Sequence, residues 1–394
     1  MRRMHHMAIC SEGAYYLVVM AFILTAALIR QINLLMVLYG LLAGPLLISW
    51  WLVRRQVNRV EIVRHAPKSA IAGEPFAVEV ELVNKRKRGG SFSLMVRDEL
   101  QRRGRDGKKN PTTEVYCGYL PGGETQRVSY QGRLARRGLY DFQPLRLSSR
   151  FPMGLLRTTL RFEQPQRLLV LPRQGHLTPA WQRLLRADGG DGVGGRRQTG
   201  FQEGDFYGLR DWRPGDPRNR IHWRTSARRG SLTVRQYERR RQSDLLLIVE
   251  LWETEKPTDA DRARNETIVS FAATVMAEAC QDGGRAIHLE IVGKKPRRIK
   301  GTASPRLLDE AMTALATAEA ASGDALPSAL VTALSELHPQ ASGFIVGARP
   351  IDLFDRERFA PLWQRTDLQL WPARLVSLHP ADVRWKEIFQ EATP

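Results

Sequence analysis

The stretch LLLIVEL, from Leu245 to Leu251, decides how the second half of the chain folds. Its nearly continuous apolar character is typical of a strand that is buried on both faces of a parallel sheet. Helix and strand patterns alternate after it, which predicts a mostly parallel, doubly wound α/β sheet. We expect helices at about 260–280, 305–320, 327–337 and 355–364, and strands at AIHLEIV (286–292), 343–347 and LQLWPARL (368–375).

A change of pattern near residue 166 separates this α/β domain, residues 166–394, from a β-rich segment, residues 57–165. In the β-rich segment, FAVEVELV from Phe76 to Val83 and FSLMVRDEL from Phe92 to Leu100 alternate apolar and polar residues, as half-buried strands do. Turn-rich or charged pieces separate these stretches. The pattern predicts an antiparallel, immunoglobulin-like β-sandwich. We place the strand-like RLLVLP (167–172) at the start of the later domain.

The N-terminal segment, residues 1–56, contains two long apolar runs at about 14–29 and 32–53. A helix that crosses the hydrocarbon core of a bilayer needs about 20 apolar residues. The second run is long enough, and the first becomes so with its flanking residues. The two runs therefore predict a transmembrane helical hairpin.

Arginines lie on the outer flanks of both runs, at Arg2, Arg3, Arg54 and Arg55, whereas the turn between them carries only Arg30. The positive-inside rule then places both ends of the hairpin in the cytoplasm. We expect a multi-pass protein of the inner (cytoplasmic) membrane with its globular parts facing the cytoplasm. Two alternatives remain open, namely a cleaved signal peptide followed by a stop-transfer segment, and a buried hairpin of a soluble protein.

The composition is strongly basic, with a formal net charge of +19 and a sequence pI near 10.4 over 394 residues. This charge suits anionic lipid, acidic protein surfaces or nucleic acid, and does not choose among them. The three cysteines, Cys10, Cys117 and Cys280, are far apart and form no C-x-x-C pair. Neither a disulfide framework nor a zinc site is indicated, which fits a reducing compartment.

The run DFYGLRDWRPGDPRNRIHWRTSARRGSLTVRQYE, residues 205–238, is the most distinctive part of the chain and reads as loop, short helix and strand. Pro214 and Gly215 favour a turn. Asp216 can accept hydrogen bonds from the backbone or from a nearby arginine, so that a helix follows the turn. We call residues 205–238 the motif segment.

The motif segment resembles the signature of the DUF58 family. The resemblance implies an N-terminal transmembrane hairpin, a β-rich segment and a domain similar to von Willebrand factor A. It also implies an accessory role beside a MoxR-type AAA+ ATPase and a transglutaminase-like membrane protein, and no catalytic activity is established for the family. The residues that match the signature are Arg210, Trp212, Pro214, Gly215, Asp216, Arg220, Ile221, Trp223, Ala227 and Arg228.

Two interpretations of the motif segment follow from its residue types. In the structural one, Trp212 and Trp223 pack the segment against the sheet, while Arg210 and Arg220 pair with the neighbouring aspartates. In the functional one, the arginine-rich face binds an acidic partner or phosphate, because guanidinium groups bind carboxylate and phosphate in bidentate fashion. The arginines expected to point outward are Arg229, Arg235, Arg239, Arg240 and Arg241.

A von Willebrand-type domain that binds Mg²⁺ has D-x-S-x-S after its first central strand, because hydroxyl and carboxylate oxygens suit a hard cation. Here the sequence reads Glu250-Leu251-Trp252-Glu253-Thr254. Glu250 and Thr254 still offer oxygen ligands, but Trp252 and Glu253 replace the small hydroxyl residues. We therefore expect a degenerate site without metal, and expect Glu250→Ala to have no effect unless a metal binds.

Other catalytic signatures are missing from the sequence. The glycine-rich piece 188–195 lacks the G-x-x-x-x-G-K-[ST] pattern of a phosphate loop, and neither H-E-x-x-H nor G-x-S-x-G occurs. His5 and His6 lie on what we expect to be a mobile N-terminal tail. We expect no cofactor and no enzymatic activity.

Three classes of function remain. We favour a membrane-tethered accessory or scaffold protein that engages an AAA+ ATPase or its client. The second class is a basic binder of anionic lipid or nucleic acid, although no recognised nucleic-acid module appears and no specific nucleic acid is expected. The third is an unrecognised enzyme acting around Asp205, Asp211 and Asp216, where carboxylates and arginines are close in sequence.

Overall fold

A computed structural model describes residues 3–104, 111–188, 199–200, 206–214, 216, 218–238, 244–282, 284–337 and 341–391. The chain divides into two compact units, Met1–Arg173 and Gln174–Thr393. Each unit is described by itself below.

The first unit begins with strand β1 (Arg3–Ile9), followed by two long helices, α1 (Ser11–Arg30) and α2 (Asn33–Val57). Both helices are long and apolar enough to span a membrane. Helix α1 extends the predicted run 14–29 at both ends, whereas α2 begins one residue later than the predicted run 32–53 and ends four residues later. His5 and His6 lie in β1, so our expectation of a mobile tail there was wrong. A strand forms no hydrogen-bond ladder without a partner, and the sequence of β1 does not reveal its distant partner.

The other strands of the first unit form two sheets. The first is the antiparallel sheet β2-β4-β7, and the second runs in the order β1-β10-β9-β5-β8-β11-β3, with β6 also paired to β5. Among the described strands of these sheets, only β3 and β11 pair in parallel. The strands are β2 (Val60–His65), β3 (Ser69–Ile71), β4 (Pro75–Asn84), β5 (Ser91–Arg102), β6 (Thr112–Leu120), β7 (Thr125–Arg133), β8 (Gly138–Phe142), β9 (Leu145–Ser149), β10 (Leu156–Phe162) and β11 (Arg167–Leu171).

The two sheets share one apolar core, built by the period-two alternation of their strands. Alternate residues of β4 point inward, and so do Leu94 and Val96 of β5 and Leu145 and Leu147 of β9. The alternation predicted in FAVEVELV and FSLMVRDEL is therefore present. Strand β11, which we placed at the start of the second domain, pairs instead with β8 and β3 of the first unit.

A polar network is buried in this core. Arg64 on β2 donates to Asp98 on β5 at 2.7 Å, and the Tyr130 hydroxyl on β7 donates to the other Asp98 oxygen at 2.7 Å. Burial raises the pKa of the Asp98 carboxyl, although Arg64 and Tyr130 oppose this shift. The network fastens the two sheets together, and every member has a partner.

The second unit alternates helices and strands around a central sheet. Short 3₁₀ turns lie at Arg218–Arg220 and Trp371–Ala373. The elements are β12 (His176–Leu177), α3 (Pro179–Asp188), β13 (Thr199–Gly200), β14 (Phe206–Asp211), α4 (Trp223–Arg229), β15 (Thr233–Glu238), β16 (Leu245–Glu250), α5 (Asp259–Asp282), β17 (Ala286–Val292), β18 (Arg297–Thr302), α6 (Pro305–Thr317), α7 (Leu326–Ser335), β19 (Ser342–Gly347), α8 (Ala360–Trp363), β20 (Leu375–Leu378), α9 (Val383–Ile388) and β21 (Phe389–Gln390).

The central sheet has the order β18-β17-β16-β19-β20. Strand β16 lies in the middle, is buried at every position, and pairs in parallel with both β17 and β19. Strand β20 is also parallel, whereas edge strand β18 is antiparallel. The mostly parallel sheet predicted from LLLIVEL is present. The strand order changes direction between β16 and β19, and ligands of open α/β sheets bind at such a switch point.

Several sequence-based assignments in this unit were wrong, and of the helix expected at about 355–364 only Ala360–Trp363 is helical. The stretch LQLWPARL is mostly a turn that contains the 3₁₀ helix, and the strand begins only at Leu375. Pro372 has no backbone N–H to give to a ladder, which explains why the strand cannot start earlier. We also missed β18, whose charged sequence RRIKGT hides its half-buried alternation.

Candidate functional site

The motif segment is a strand pair with a helix inserted in its connection. Strands β14 and β15 are antiparallel, with Arg210 opposite Val234 and Asp211 opposite Thr233, and β13 pairs with the other edge of β15. Strand β14 was expected to be loop. Its sequence FYGLRD alternates too weakly to reveal it, and the partner β15 is what fixes it as a strand.

Arg210 and Asp216 hold the turn after β14 together. The two guanidinium nitrogens donate to the two carboxylate oxygens at 2.7 and 2.8 Å, a bidentate pair, and the backbone N–H of Arg213 donates to the same carboxylate at 2.9 Å. The hydrogen bond from Arg210 lowers the pKa of Asp216 below its ordinary value. Trp212 donates through Nε1 to the Asp216 carbonyl at 3.3 Å, and Pro214 is exposed in the turn. This half of the motif segment has a structural role.

Helix α4 is fixed by residues on its inner side. His222 caps its N-terminus, because Nδ1 accepts from the Thr225 backbone N–H at 3.3 Å. The buried Ser226 hydroxyl accepts from the Thr233 N–H of β15 at 2.9 Å. Ile221 is buried and bridges to Val234. Sequence reasoning missed the capping role of His222, which its place just before a helix could have suggested.

The outer side of α4 is formed by other residues that match the signature. Trp223 is 65% exposed, and Ala227 and Arg228 are also exposed, as are Arg224 and Arg229. The expectation that Trp223 packs the segment against the sheet was therefore wrong. We call the exposed residues Trp223, Arg224, Ala227 and Arg228 the α4 face. Gly215, the side chain of Arg220, and Arg239, Arg240 and Arg241 lie outside the described residues; Arg235 is exposed.

A second cluster lies at the carboxyl edge of the central sheet, where β16 and β19 end. Glu250 is the last residue of β16 and is only 3% exposed. Its Oε1 accepts from Arg349 at 2.8 Å and from Arg358 at 3.2 Å. Asp324 pairs with the same two arginines at 2.5 and 2.8 Å. The Arg349 guanidinium also lies 5.1 Å from the centroid of the Trp252 ring. We call Glu250, Asp324, Arg349 and Arg358 the edge cluster.

The charges of the edge cluster balance, with two carboxylates and two guanidiniums. Burial raises the pKa of Glu250, against the opposing effect of Arg349 and Arg358. Burial also acts to raise the pKa of Asp324, but the hydrogen bond from Arg358 and the charges of both arginines outweigh it, and its net pKa is lowered. Oε2 of Glu250 is buried and has no hydrogen-bond partner among the described residues.

The edge cluster includes Glu250, where the sequence predicts a degenerate metal site. Oε1 of Glu250 already accepts hydrogen bonds from Arg349 and Arg358. Thr254, the other remaining oxygen ligand, donates its hydroxyl to the Lys256 carbonyl at 3.0 Å within its own loop. Within the described ranges, no group of three or more His, Cys, Asp or Glu side chains is placed to hold a metal ion. The loss of the metal site stays a prediction.

Sequence reasoning missed Arg349, Arg358 and Asp324. Arg349 follows β19, Asp324 precedes α7 and Arg358 precedes α8. All three are between 74 and 108 residues from Glu250 along the chain. The general rule that residues after adjacent parallel strands meet at one edge of the sheet would have found Arg349. Asp324 and Arg358 lie in irregular connections whose course the sequence does not predict.

The structure thus defines a mixed α/β protein with two N-terminal apolar helices and several β-sheets. The sequence profile of the family described as "Protein of unknown function DUF58" matches residues 208–349, from β14 to Arg349. A curated relative, "Uncharacterized protein YeaD" of Bacillus subtilis (strain 168), is 25% identical over 168 residues. That match covers 43% of this chain and 39% of the relative, so it spans about two fifths of the relative's length.

Solved structures match smaller parts of the chain. The CARDB domain of PF1109 from Pyrococcus furiosus covers 28% of this chain and 95% of its own, with 11% identity and a TM-score of 0.19. The C-terminal domain of wzt covers 28% of this chain and 73% of its own, with 8% identity and a TM-score of 0.22. The sporulation control protein Spo0M of Bacillus subtilis covers 33% and 54%, with 8% identity and a TM-score of 0.19. Scores this low identify no common fold.

Proposed function

We propose that this protein is a membrane-anchored accessory or scaffold protein that docks another protein on the α4 face. One observation supports this most directly. The residues that match the DUF58 signature divide into an inner set that builds the turn and an outer set that is exposed on α4. Trp223 leaves 65% of its large aromatic side chain in contact with solvent. Tryptophan and arginine are the residues most enriched at binding hot spots.

Membrane anchoring is supported by helices α1 and α2. Only 17% and 11% of their most apolar windows is buried, whereas a core helix of a soluble protein would be mostly buried. Removing such exposed apolar surface from water is strongly favourable, and a bilayer does so. We propose that both helices cross the inner (cytoplasmic) membrane, with the rest of the chain on the cytoplasmic side as the flanking arginines favour.

The finer fold classes belong to the same proposal. An immunoglobulin-like sandwich for the first unit is supported by its two sheets around one core. A von Willebrand factor A-like domain for the second unit is supported by the order of its central sheet and by the single antiparallel edge strand. In this proposal the domain works without metal or cofactor and is not an enzyme, because arginines already neutralise the carboxylate at the end of β16.

The partner we propose is a MoxR-type AAA+ ATPase, together with a transglutaminase-like membrane protein, as the resemblance to DUF58 implies. Arg224 and Arg228 lie one helical turn apart beside Trp223 and make the α4 face basic as well as aromatic. Such a face fits a partner with an acidic surface around an apolar pocket, and the net charge of +19 favours the encounter.

The test is co-purification of the tagged full chain, in detergent at moderate salt, from its own host. Wild type is compared with Trp223→Ala/Arg228→Glu, and with Arg306→Glu as the control. Arg306 is an exposed arginine in the first turn of α6, where a glutamate suits the helix dipole. We expect an AAA+ ATPase with wild type and control, and its loss with the double variant.

Equal recovery of the ATPase with all three proteins would remove the α4 face from the proposal. Recovery of nucleic acid or lipid alone, released by high salt, would instead favour a basic binder of these polyanions. Circular dichroism and thermal unfolding of the double variant show whether its fold survives, which is expected because both side chains are exposed.

A further inference from the structure

Three arginines stand side by side on the outer face of the large sheet in the first unit. Arg161 of β10 is opposite Arg146 of β9, and Arg146 is opposite Arg97 of β5. Glu114 of β6 ends the row beside Arg97. The alternation of the strands points these side chains away from the core, since the neighbours Leu160, Leu147 and Val96 are buried. The row therefore places three guanidiniums on adjacent strands.

The row lines one end of a concave surface of about 460 Å³. Arg150 and Arg157 line the other end, with the neutral Thr159 and Ser148 between. Nε of Arg157 is buried without a hydrogen-bond partner in the part of the chain that the structure describes. We call the five arginines the arginine face: Arg97, Arg146, Arg150, Arg157 and Arg161.

Nearby carboxylates neutralise only part of this face. Arg97 is ion-paired with Glu114 at 3.4 Å, and Arg146 with Glu99 at the longer distance of 3.9 Å. Among the described residues no carboxylate forms an ion pair with Arg157 or Arg161. Like charges directly opposite each other on neighbouring strands destabilise a sheet. A bound anion would remove this repulsion, and arginine binds phosphate in bidentate fashion.

The arginine face adjoins the base of the two apolar helices. Leu156, the first residue of β10, is opposite Ile9, and the Cys10 N–H donates to the Leu155 carbonyl at 3.0 Å just before α1 begins. Val53 of α2 packs against Leu155 and Leu156. Arg157 is thus next to the helices, and the row at Arg161 lies four residues, roughly 13 Å, farther along the strand.

We propose that the arginine face binds the phosphate of an anionic phospholipid headgroup, held between Arg157 and the row of Arg161 and Arg146. The lipid is the occupant because the site stands where the helices enter the membrane, and this inference rests on the membrane anchoring proposed above. The headgroup layer of a bilayer is rich in phosphate and lies directly outside the hydrocarbon core. Bound lipid would fix the β-rich unit at the membrane surface.

The experiment measures thermal unfolding of the detergent-solubilised full chain as a water-soluble lipid is added. The probe is dihexanoyl phosphatidylglycerol, with dihexanoyl phosphatidylcholine and inorganic phosphate as comparisons at equal ionic strength. The test variant is Arg146→Gln/Arg161→Gln. The matched control, Arg127→Gln/Arg167→Gln, removes the same charge from exposed positions elsewhere in the unit.

We expect phosphatidylglycerol to raise the unfolding temperature of wild type and control. The test variant should bind phosphatidylglycerol at least roughly tenfold more weakly, because it lacks the charged hydrogen bonds from Arg146 and Arg161 to the phosphate. Without lipid this variant should be no less stable than wild type, since it relieves like-charge repulsion. Arg146→Lys/Arg161→Lys, which keeps the charge but not the bidentate geometry, should be intermediate.

Equal binding of phosphatidylglycerol by wild type and test variant would overturn the site. If inorganic phosphate raised the unfolding temperature as much as phosphatidylglycerol does, the lipid would be overturned as the occupant. If phosphatidylcholine raised it equally, the protein would be binding the acyl chains rather than the negative charge, which would also overturn the proposal. Extraction of native membranes with alkaline carbonate tests the anchoring separately. A chain that resists extraction but ignores phosphatidylglycerol refutes only the arginine face.

Discussion

Glu250 shows what a single buried carboxylate does at the end of a central strand. In the sequence it resembles the remnant of a metal ligand, and for that reason we expected Glu250→Ala to be silent. The structure gives it a different role, because its Oε1 receives hydrogen bonds from Arg349 and Arg358. Removing one partner of a buried ion pair leaves the other charge uncompensated. The expectation for this residue therefore changes.

We now predict that Glu250→Ala lowers the free energy of unfolding by on the order of 3 kcal/mol. Arg349 and Arg358 would then share the single carboxylate of Asp324, which leaves one positive charge uncompensated. Their side chains are largely buried, at 24% and 19% exposure. Thermal unfolding measures the change, with the exposed Glu255→Ala as the control. An unchanged unfolding temperature would contradict the role of the edge cluster. If Mg²⁺ stabilised wild type but not Glu250→Ala, the metal site would be intact.

Asp216 gives a prediction for pH. Its pKa is lowered in the folded chain, chiefly by the hydrogen bond from Arg210, so the folded state binds its proton less readily than the unfolded state. Its stabilising effect is then complete above the ordinary aspartate pKa of about 4 and is lost as the pH falls through the lowered value. We expect Asp216→Asn to be less stable than wild type at pH 7. The difference in unfolding temperature should narrow below about pH 4, and a constant difference would argue against the ion pair.

At the scale of elements, the motif segment combines a rigid turn, a capped helix and a strand. Helix α4 has seven residues, too few to be stable alone, and depends on its caps and on β15. It ends at Gly230, which has a left-handed φ of 69° and donates its N–H to the Ser226 carbonyl at 2.9 Å. Glycine suits this position because other residues are strained there.

Gly230→Ala should therefore destabilise the protein by about 1 kcal/mol through backbone strain alone. A Cβ at this position would meet no atom within 4 Å, so steric clash does not contribute. Gly323→Ala is the matched control, since its Cβ would also meet no atom within 4 Å and its φ is not left-handed. Chemical denaturation compares the two. Equal stability of both variants would show that the C-terminal cap of α4 contributes nothing.

At the scale of the whole molecule, helices α1 and α2 are long and apolar enough to span a membrane. If both cross the membrane, the turn between them, at Gln31, lies on the side opposite to the two folded units. This arrangement would put the arginine face and the α4 face on the same side of the membrane as an ATPase of the cytoplasm. It is a consequence of the charge distribution around the hairpin.

The prediction is tested by labelling cysteines in intact cells with a membrane-impermeant maleimide. The background chain has Cys10 and Cys280 replaced by serine, and Cys117 is buried. Gln31→Cys should be labelled from outside, whereas Ser322→Cys, at an exposed position of the second unit, should be labelled only after lysis. Labelling in the reverse order would invert the topology. Labelling of both cysteines only after lysis would mean that the hairpin does not cross the membrane.

The sequence by itself determined the elements whose pattern is local. The apolar runs of α1 and α2, the alternation in β4 and β5, and the continuous apolar run of β16 each follow from burial periodicity over a few residues. It also located the motif segment and offered, as one of two interpretations, a pairing of Arg210 with a neighbouring aspartate, which in the structure is Asp216. Where a strand is recognisable mainly by its pairing with another strand, as for β1, β14 and β18, the local pattern was too weak.

Only the tertiary structure decided which distant residues meet. The edge cluster joins Glu250 to Asp324, Arg349 and Arg358, and the arginine face joins strands β5, β9 and β10. Both arise because sheet register brings together side chains that are far apart along the chain. The exposure of Trp223 was decided in the same way, since the inner face of α4 is chosen by its contact with β15. The charge and hydropathy of each residue can be read from the sequence, but which residues lie together in a site depends on strand register and side-chain packing.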